Sequence, residues 1–200
     1  MLQPAATEQH FTYGDYCRWP DDERWELING RAYDMCPAPA RRHQELVVEI
    51  VRQLGNQLEG ADCRVYVAPF DVRLPEADEA DEAIDSVVQP DVVVVCDPAK
   101  LDDAGCRGAP DWIIEVLSPS TAAKDQTDKL ALYERHGVRE YWLVHPTDRV
   151  LTIYRPEGRG YGRPLVQSLS GETDCAAVPS LRICWPAPET WPARSPGPGG

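Results

Sequence analysis

Nowhere does the 200-residue chain hold the run of about 20 apolar residues that crosses a bilayer, so no membrane association is expected. Met1 to His10 lacks a basic region followed by an apolar segment, which argues against a secretory signal and makes a cytoplasmic location the expectation. Positive charge is scarce. Lys and Arg total 20 against 33 Asp and Glu, a net charge of −13, which argues against a surface coated for non-specific nucleic-acid binding. A local basic patch, or a carboxylate metal site, remains compatible with that total. No C-x-x-C pair occurs among Cys17, Cys36, Cys63, Cys96, Cys106, Cys175 and Cys184. Odd in number and scattered, they fit neither a zinc site nor a secreted disulfide framework, and reduced structural thiols are expected. There is no internal repeat, zinc finger, basic recognition helix or G-x-S-x-G elbow.

What is present suits one soluble domain with ragged ends: 42% hydrophobic and 26% charged residues are ordinary values for a chain able to bury a core. The expected division is a flexible N-terminus over 1–11, a folded domain over 12–185 and a disordered Pro/Gly-rich tail over 186–200. Thr12 can cap a short helix through Tyr16. Asn29-Gly30 between Arg24–Ile28 and Arg31–Met35 is a strong hairpin signal, because both turn residues tolerate positive φ. From Arg41 to Glu59 the residues Leu46, Val47, Ile50, Val51, Leu54 and Leu58 form one helical stripe. His43 falls on that stripe; Glu45 and Glu49 fall off it. Strands are expected at 64–68 and 70–74, kinked at Pro69, and at 92–96 and 112–117. The segments 75–86 and 97–109 read as loops, the first of them solvated. A helix capped by Asp125 or Thr127, with Leu130 and Tyr133 facing the core, runs to about His136 and stops at Gly137, and a hairpin follows over 141–154. Weaker strands are expected at 165–169 and 181–184. The order implies an α/β mixed sheet with helices packed on it.

The segment from Pro90 to Trp142 carries the chemistry. Two apolar strands each contain one carboxylate, Asp91 and Glu115, and a buried carboxylate costs several kcal/mol unless it is paired or binds a metal. Alternation puts Ile113, Glu115 and Leu117 on one face. If the strands are neighbours, the two carboxylates suit a hard divalent cation such as Mg²⁺. Such an ion would polarise a phosphodiester and acidify an attacking water. A nearby lysine would neutralise developing charge, and Lys129, at the start of the following helix, is the first candidate, with Lys124 as the alternative. The competing readings are a structural role for the carboxylates, as N–H acceptors or in an ion pair, and a surface position for the lysine. Ser118 and Ser120 flank Pro119 and read as turn residues. Asp111 reads as a turn acceptor, and Trp112 and Trp142 as core or interface residues. Asp71 is a weaker candidate, since Pro69 obscures which face its strand presents.

Pro90-Asp91, the run Gly108-Ala-Pro-Asp-Trp-Ile-Ile-Glu115-Val-Leu-Ser-Pro-Ser-Thr121, Lys129-Leu-x-x-Tyr133 and Gly137-Val-x-Glu-Tyr-Trp142 together resemble the Uma2 family. These are restriction-endonuclease-like proteins of the PD-(D/E)xK superfamily. Glu26-Leu-Ile-Asn-Gly-Arg31 and Arg42-His43-Gln44 are similar to the same family's first hairpin and first core helix. The resemblance runs from about Thr12 to about Tyr154. It implies a restriction-endonuclease-like mixed sheet flanked by helices and Mg²⁺-dependent hydrolysis of nucleic acid, DNA first, with Mn²⁺ as a substitute. It implies Asp91 and Glu115 as metal ligands and Lys129 as the displaced catalytic lysine, because Leu117 occupies the superfamily's usual lysine position. Glu26 and His43 match family positions and either complete the site or brace it. The competing function is a catalytically silent nuclease-fold protein used for binding or assembly. Leu117, the acidic charge and the apolar segment Glu140–Leu143 favour it, and a homodimer is expected.

Overall fold

The computed structural model describes residues 9–20, 22–35 and 39–187. Helix α1 (Tyr13–Tyr16) opens with the Thr12 N–H donating to Asp15 Oδ2 at 3.0 Å. Just before it, Phe11 donates its N–H to Gly30 O at 2.8 Å and packs edge-on against Trp19. The hairpin of β1 (Trp25–Ile28) and β2 (Arg31–Asp34) turns through Asn29 and Gly30, at φ 52° and 73°. Both angles lie in the left-handed region that Asn and Gly tolerate best. Helix α2 (Arg41–Gln57) follows, and its buried face carries Leu46, Val47, Ile50 and Leu54. Then come β3 (Arg64–Val67), β4 (Val72–Arg73), β5 (Val87–Val88), β6 (Val92–Val95), β7 (Leu101–Asp102), β8 (Gly105–Arg107) and β9 (Trp112–Val116). Helices α3 (Ala122–Gln126) and α4 (Asp128–His136) lead to β10 (Glu140–His145) and β11 (Val150–Tyr154). Gly137, at φ 76°, ends α4 in a left-handed cap. The short strands β12 (Pro156–Glu157), β13 (Gly160–Tyr161), β14 (Leu165–Ser168), β15 (Glu172–Asp174) and β16 (Arg182–Cys184) complete the order. No helix among the described residues is long and apolar enough to cross a membrane.

Two six-stranded sheets result, ordered β2-β1-β5-β4-β8-β7 and β14-β11-β10-β9-β6-β3. In the second, β9 and β10 are parallel and the other pairs antiparallel, giving the mixed α/β sheet expected. A parallel pair needs a crossover, and α3 with α4 supplies it. The side chains of β9 divide by alternation. Trp112, Ile114 and Val116 join the α2 stripe in one apolar cluster; Ile113 and Leu117 join Tyr133 and Tyr141 in another, which reaches Val72 and Val88 of the first sheet. The second sheet is thus covered on both faces, which is why its central strands are so uniformly apolar. Trp112 meets Trp142 edge-on at 4.6 Å between ring centres. Truncating either to Ala would cost about 3–5 kcal/mol.

Three expectations are corrected. The segment 75–86 is not simply solvated: Arg73 and Arg107 both bind Asp81, and Ile84 and Ser86 are buried. The loop at 97–109 contains the β7–β8 hairpin, whose strands are too short to show a period in the sequence. Cys63 and Cys96 form a disulfide rather than remaining reduced. Antiparallel pairing of β3 with β6 sets Arg64 opposite Val95, so the next residues, 63 and 96, face each other. That juxtaposition belongs to strand register, which cysteine spacing does not report.

Candidate active site

One turn of chain builds the floor of the site. Between β5 and β6 the chain passes from the first sheet to the second through Gln89-Pro90-Asp91. Pro90 has no N–H to donate. The N–H groups on either side of it each reach a carboxylate: Gln89 donates to Glu26 Oε1 at 2.9 Å and Asp91 to Glu115 Oε2 at 3.2 Å. Asp91 then turns its own carboxylate toward β9, where Oδ2 accepts the Val116 N–H at 2.8 Å. The same oxygen lies 3.0 Å from His43 Nε2, on the first turns of α2. Asp91 Oδ1 accepts no hydrogen bond among the described residues. Asp91 is thus held by one oxygen and presents the other at the cleft.

Glu115 projects from the face of β9 that carries Ile113 and Leu117, as alternation requires. Its Oε1 accepts from Lys129 Nζ at 2.8 Å and from the Tyr133 hydroxyl at 3.3 Å. Lys129 also lies 2.7 Å from Glu26 Oε1 and 3.6 Å from Asp125 Oδ1. Glu26 Oε2 is bound by Lys124 Nζ at 2.5 Å. The five predicted residues, Glu26, His43, Asp91, Glu115 and Lys129, therefore come from β1, α2, the β5–β6 passage, β9 and α4 into one network. A cleft of about 320 Å³ opens on it, lined among others by Arg24, His43, Asp91, Glu115, Ser118 and Lys124.

The electrostatics are uneven. Burial pushes the Glu115 carboxyl well above the usual carboxylate range; Lys129 pulls it down, but Asp125, Asp91 and Glu26 add to the rise. Burial also works against a charged Lys129, yet Glu115, Glu26 and Asp125 outweigh it and hold the ammonium well above its ordinary value. For Glu26, burial is overcome by Lys129 and Lys124, and its carboxyl sits below the usual value. Burial raises Asp125. Three carboxylates, Glu26, Glu115 and Asp125, thus share two ammonium groups, Asp91 lies beside His43, and Glu115 is the carboxyl on which burial weighs most.

A divalent cation suits this donor set. Mg²⁺ binds through one or two carboxylates and fills the remaining positions with water and substrate phosphate. Among the described residues no three His, Cys, Asp or Glu side chains form a ready cage, as an ion completed by substrate would not require. The free oxygen of Asp91 and the surplus of buried carboxyls over ammonium groups around Glu115 are the features that fit such an ion.

The family model described as "Putative restriction endonuclease" matches residues 13–184. The chain belongs to the Uma2 family. An "Uncharacterized protein" of Synechocystis sp. is 26% identical over 160 residues, covering 78% of this chain and 80% of that protein. In fold, the chain is similar to a crystal structure described as a "putative nuclease belonging to DUF820" from Anabaena variabilis. The TM-score is 0.68 at 20% identity, covering 87% of this chain and 94% of the other.

Within this Uma2 chain, sequence reasoning passed over Asp125 and Tyr133 as site residues. Asp125 precedes Lys129 by four, a helical spacing that could have flagged the pair, but the same residue also reads as a helix cap. Tyr133 reads as core, and it is core, yet its hydroxyl is aimed at Glu115. Asp71 lies outside the network. It accepts from Tyr16 and from Gln89 Nε2, and Arg24 grips the amide oxygen of the same Gln89 at 2.8 Å. Ser118 bonds Ser120 and Thr121 in a turn, and Asp111 accepts from the Cys96 N–H and Arg139, as expected of turn residues.

Proposed function

We propose that this Uma2 protein is a metal-dependent nuclease that hydrolyses phosphodiester bonds of nucleic acid, DNA first, with Mg²⁺ or Mn²⁺ held by Asp91 and Glu115. The observation that carries the reading is the excess of buried carboxylate over ammonium at the floor of an open cleft, with one Asp91 oxygen uncommitted. A protein that kept this arrangement only for stability would leave Glu115 costly at neutral pH with nothing in return. When bound, the cation polarises the phosphodiester and acidifies the attacking water.

The chain's own groups divide the remaining work. Val116 N–H and His43 hold Asp91 Oδ2, which aims Oδ1 into the cleft. Lys129 and Tyr133 hold Glu115 Oε1, leaving Oε2 with a single long bond from the Asp91 N–H. Glu26 holds Lys129 and Lys124 in place, one through each oxygen. Leu117, at the superfamily's usual lysine position, is buried among apolar neighbours and leaves that duty to lysines on α3 and α4.

Cleavage of plasmid DNA with Mg²⁺ or Mn²⁺, abolished by a chelator and by Glu115→Gln, is the expected result. Absence of metal binding by calorimetry, together with no cleavage of DNA or RNA, would remove the proposal. The silent binding or assembly reading loses one of its supports, since Glu140–Leu143 lies buried between β9 and β11 and offers no surface. Self-association is read independently by sedimentation of the wild type.

A further inference from the structure

The two lysines of the site are not equivalent. An ammonium has three protons to donate and no lone pair. All three directions at Lys129 face carboxylates: Glu26 at 2.7 Å, Glu115 at 2.8 Å and Asp125 at 3.6 Å. Its side chain is 3% exposed. Lys124 is differently placed. Glu26 takes one proton at 2.5 Å, and Met35 Sδ, a weak acceptor, lies at 3.7 Å. The face of the Tyr33 ring lies 5.4 Å away and favours a cation there. No further acceptor among the described residues meets Lys124, its side chain is 13% exposed, and it lines the cleft beside Ser118, Ser120 and Thr121.

Resting on the nuclease reading above, we infer that Lys124 is the lysine that contacts substrate, donating to a backbone phosphate of nucleic acid. Lys129, the lysine that the family resemblance selects, is a positioning residue that fixes Glu115 and Glu26. The geometry behind this is donor capacity. A phosphate oxygen entering the cleft finds a proton available on Lys124, whereas at Lys129 it would have to displace a buried carboxylate and strand its charge. Glu26 joins the two roles, since one oxygen holds each lysine. The hydroxyls of Ser118, Ser120 and Thr121, clustered at the same mouth, add donors of the kind that phosphates accept.

The test uses the full-length protein, a fluorescently labelled DNA duplex of mixed sequence, and Ca²⁺ in place of the catalytic cation. Binding is followed between about 50 and 200 mM salt, where each phosphate contact contributes about 0.9 to the slope of log K against log salt. Lys124→Gln is expected to weaken binding about tenfold and to lower that slope by about one, with Ca²⁺ affinity retained and Lys124→Arg restoring the slope. A purely structural Lys124 would not move the slope. Lys129→Gln, if it folds, is expected to lose Ca²⁺ affinity while its slope stays near wild type. The inference is overturned if Lys124→Gln keeps the wild-type slope, if Lys129→Gln lowers the slope instead, or if wild type binds Ca²⁺ but not the duplex. Wild type that binds neither metal nor DNA overturns the nuclease reading itself, and this inference with it.

Discussion

Glu115 and Glu140 invite comparison. Each is a buried glutamate in an apolar strand, and their strands, β9 and β10, are paired neighbours in one sheet. They face opposite sides of it. Glu140 points to the α2 side, where Oε2 accepts the N–H groups of Ala176 and Ala177 at 2.7 and 2.8 Å, and Oε1 accepts from Trp142 Nε1 at 2.7 Å and Arg155 at 2.9 Å. Every strong partner is a donor, two of them backbone, and the result ties the 175–178 turn to the sheet. Glu115 points to the cleft side and shares Lys129 with two other carboxylates, and burial pushes its carboxyl well above the usual range. A carboxylate surrounded by donors is a fastening. A carboxylate that shares its one ammonium with two others, beside an open cleft, is held less completely.

The difference can be broken by experiment. The largest expected effect is at Glu115. Glu115→Gln should lower metal-dependent cleavage about a hundredfold or more, the scale on which metal-site changes act, as read by plasmid nicking rates. It should leave the melting temperature of the metal-free protein unchanged or raised, because it removes charge from an overcharged cluster. A large loss of stability would place Glu115 with Glu140 as a structural residue. Next comes Lys129→Met, which strands Glu26, Glu115 and Asp125 together and should cost about 3–5 kcal/mol in denaturant unfolding. A cost below about 1 kcal/mol would show that those carboxylates do not depend on it.

Glu140→Gln should show the converse of Glu115→Gln. Losing charge-assisted acceptance from backbone, indole and guanidinium donors should cost about 3 kcal/mol, a fall of roughly 6–12 °C in a domain of this size, with cleavage by the folded fraction unchanged. Loss of activity without loss of stability would defeat the contrast. The smallest effect concerns an ion pair far from the cleft. Asp102 is bound through both oxygens by the buried Arg73 at 2.6 Å, and those hydrogen bonds hold its carboxyl below the usual value. A lowered folded-state value means that the stabilisation is fully present above the ordinary carboxylate value, near pH 4, and is lost as pH falls through the lowered value. Asp102 is half exposed, so Asp102→Asn should cost only about 1 kcal/mol at neutral pH, and the gap from wild type should close in acid titrations. A gap that persists at low pH would mean that packing, not charge, is lost.

Much of this was legible in the chain itself. The Asn29-Gly30 turn, the α2 stripe, the apolar strands at 92–95 and 112–116 and the Gly137 stop are local matters of period and φ, and each is found where the pattern puts it. Asp91 and Glu115 were visible as charges out of place, and alternation alone assigned Glu115 its face. Other features depended on pairing. The strand at 87–88 is two residues long, the Cys63–Cys96 bond follows from the register of β3 against β6, and Glu140 took its meaning from a turn 35 residues further along. None of these leaves a periodic trace.

The two lysines draw the boundary most sharply. Sequence alone determined that ammonium groups follow Glu115 on a helical segment, because composition and period are local properties. Which of them is enclosed by carboxylates and which keeps a proton for the cleft was decided only when β1 brought Glu26 between them. Burial and donor count are properties of neighbours, and neighbours from β1, β9 and α3 are assembled by the fold.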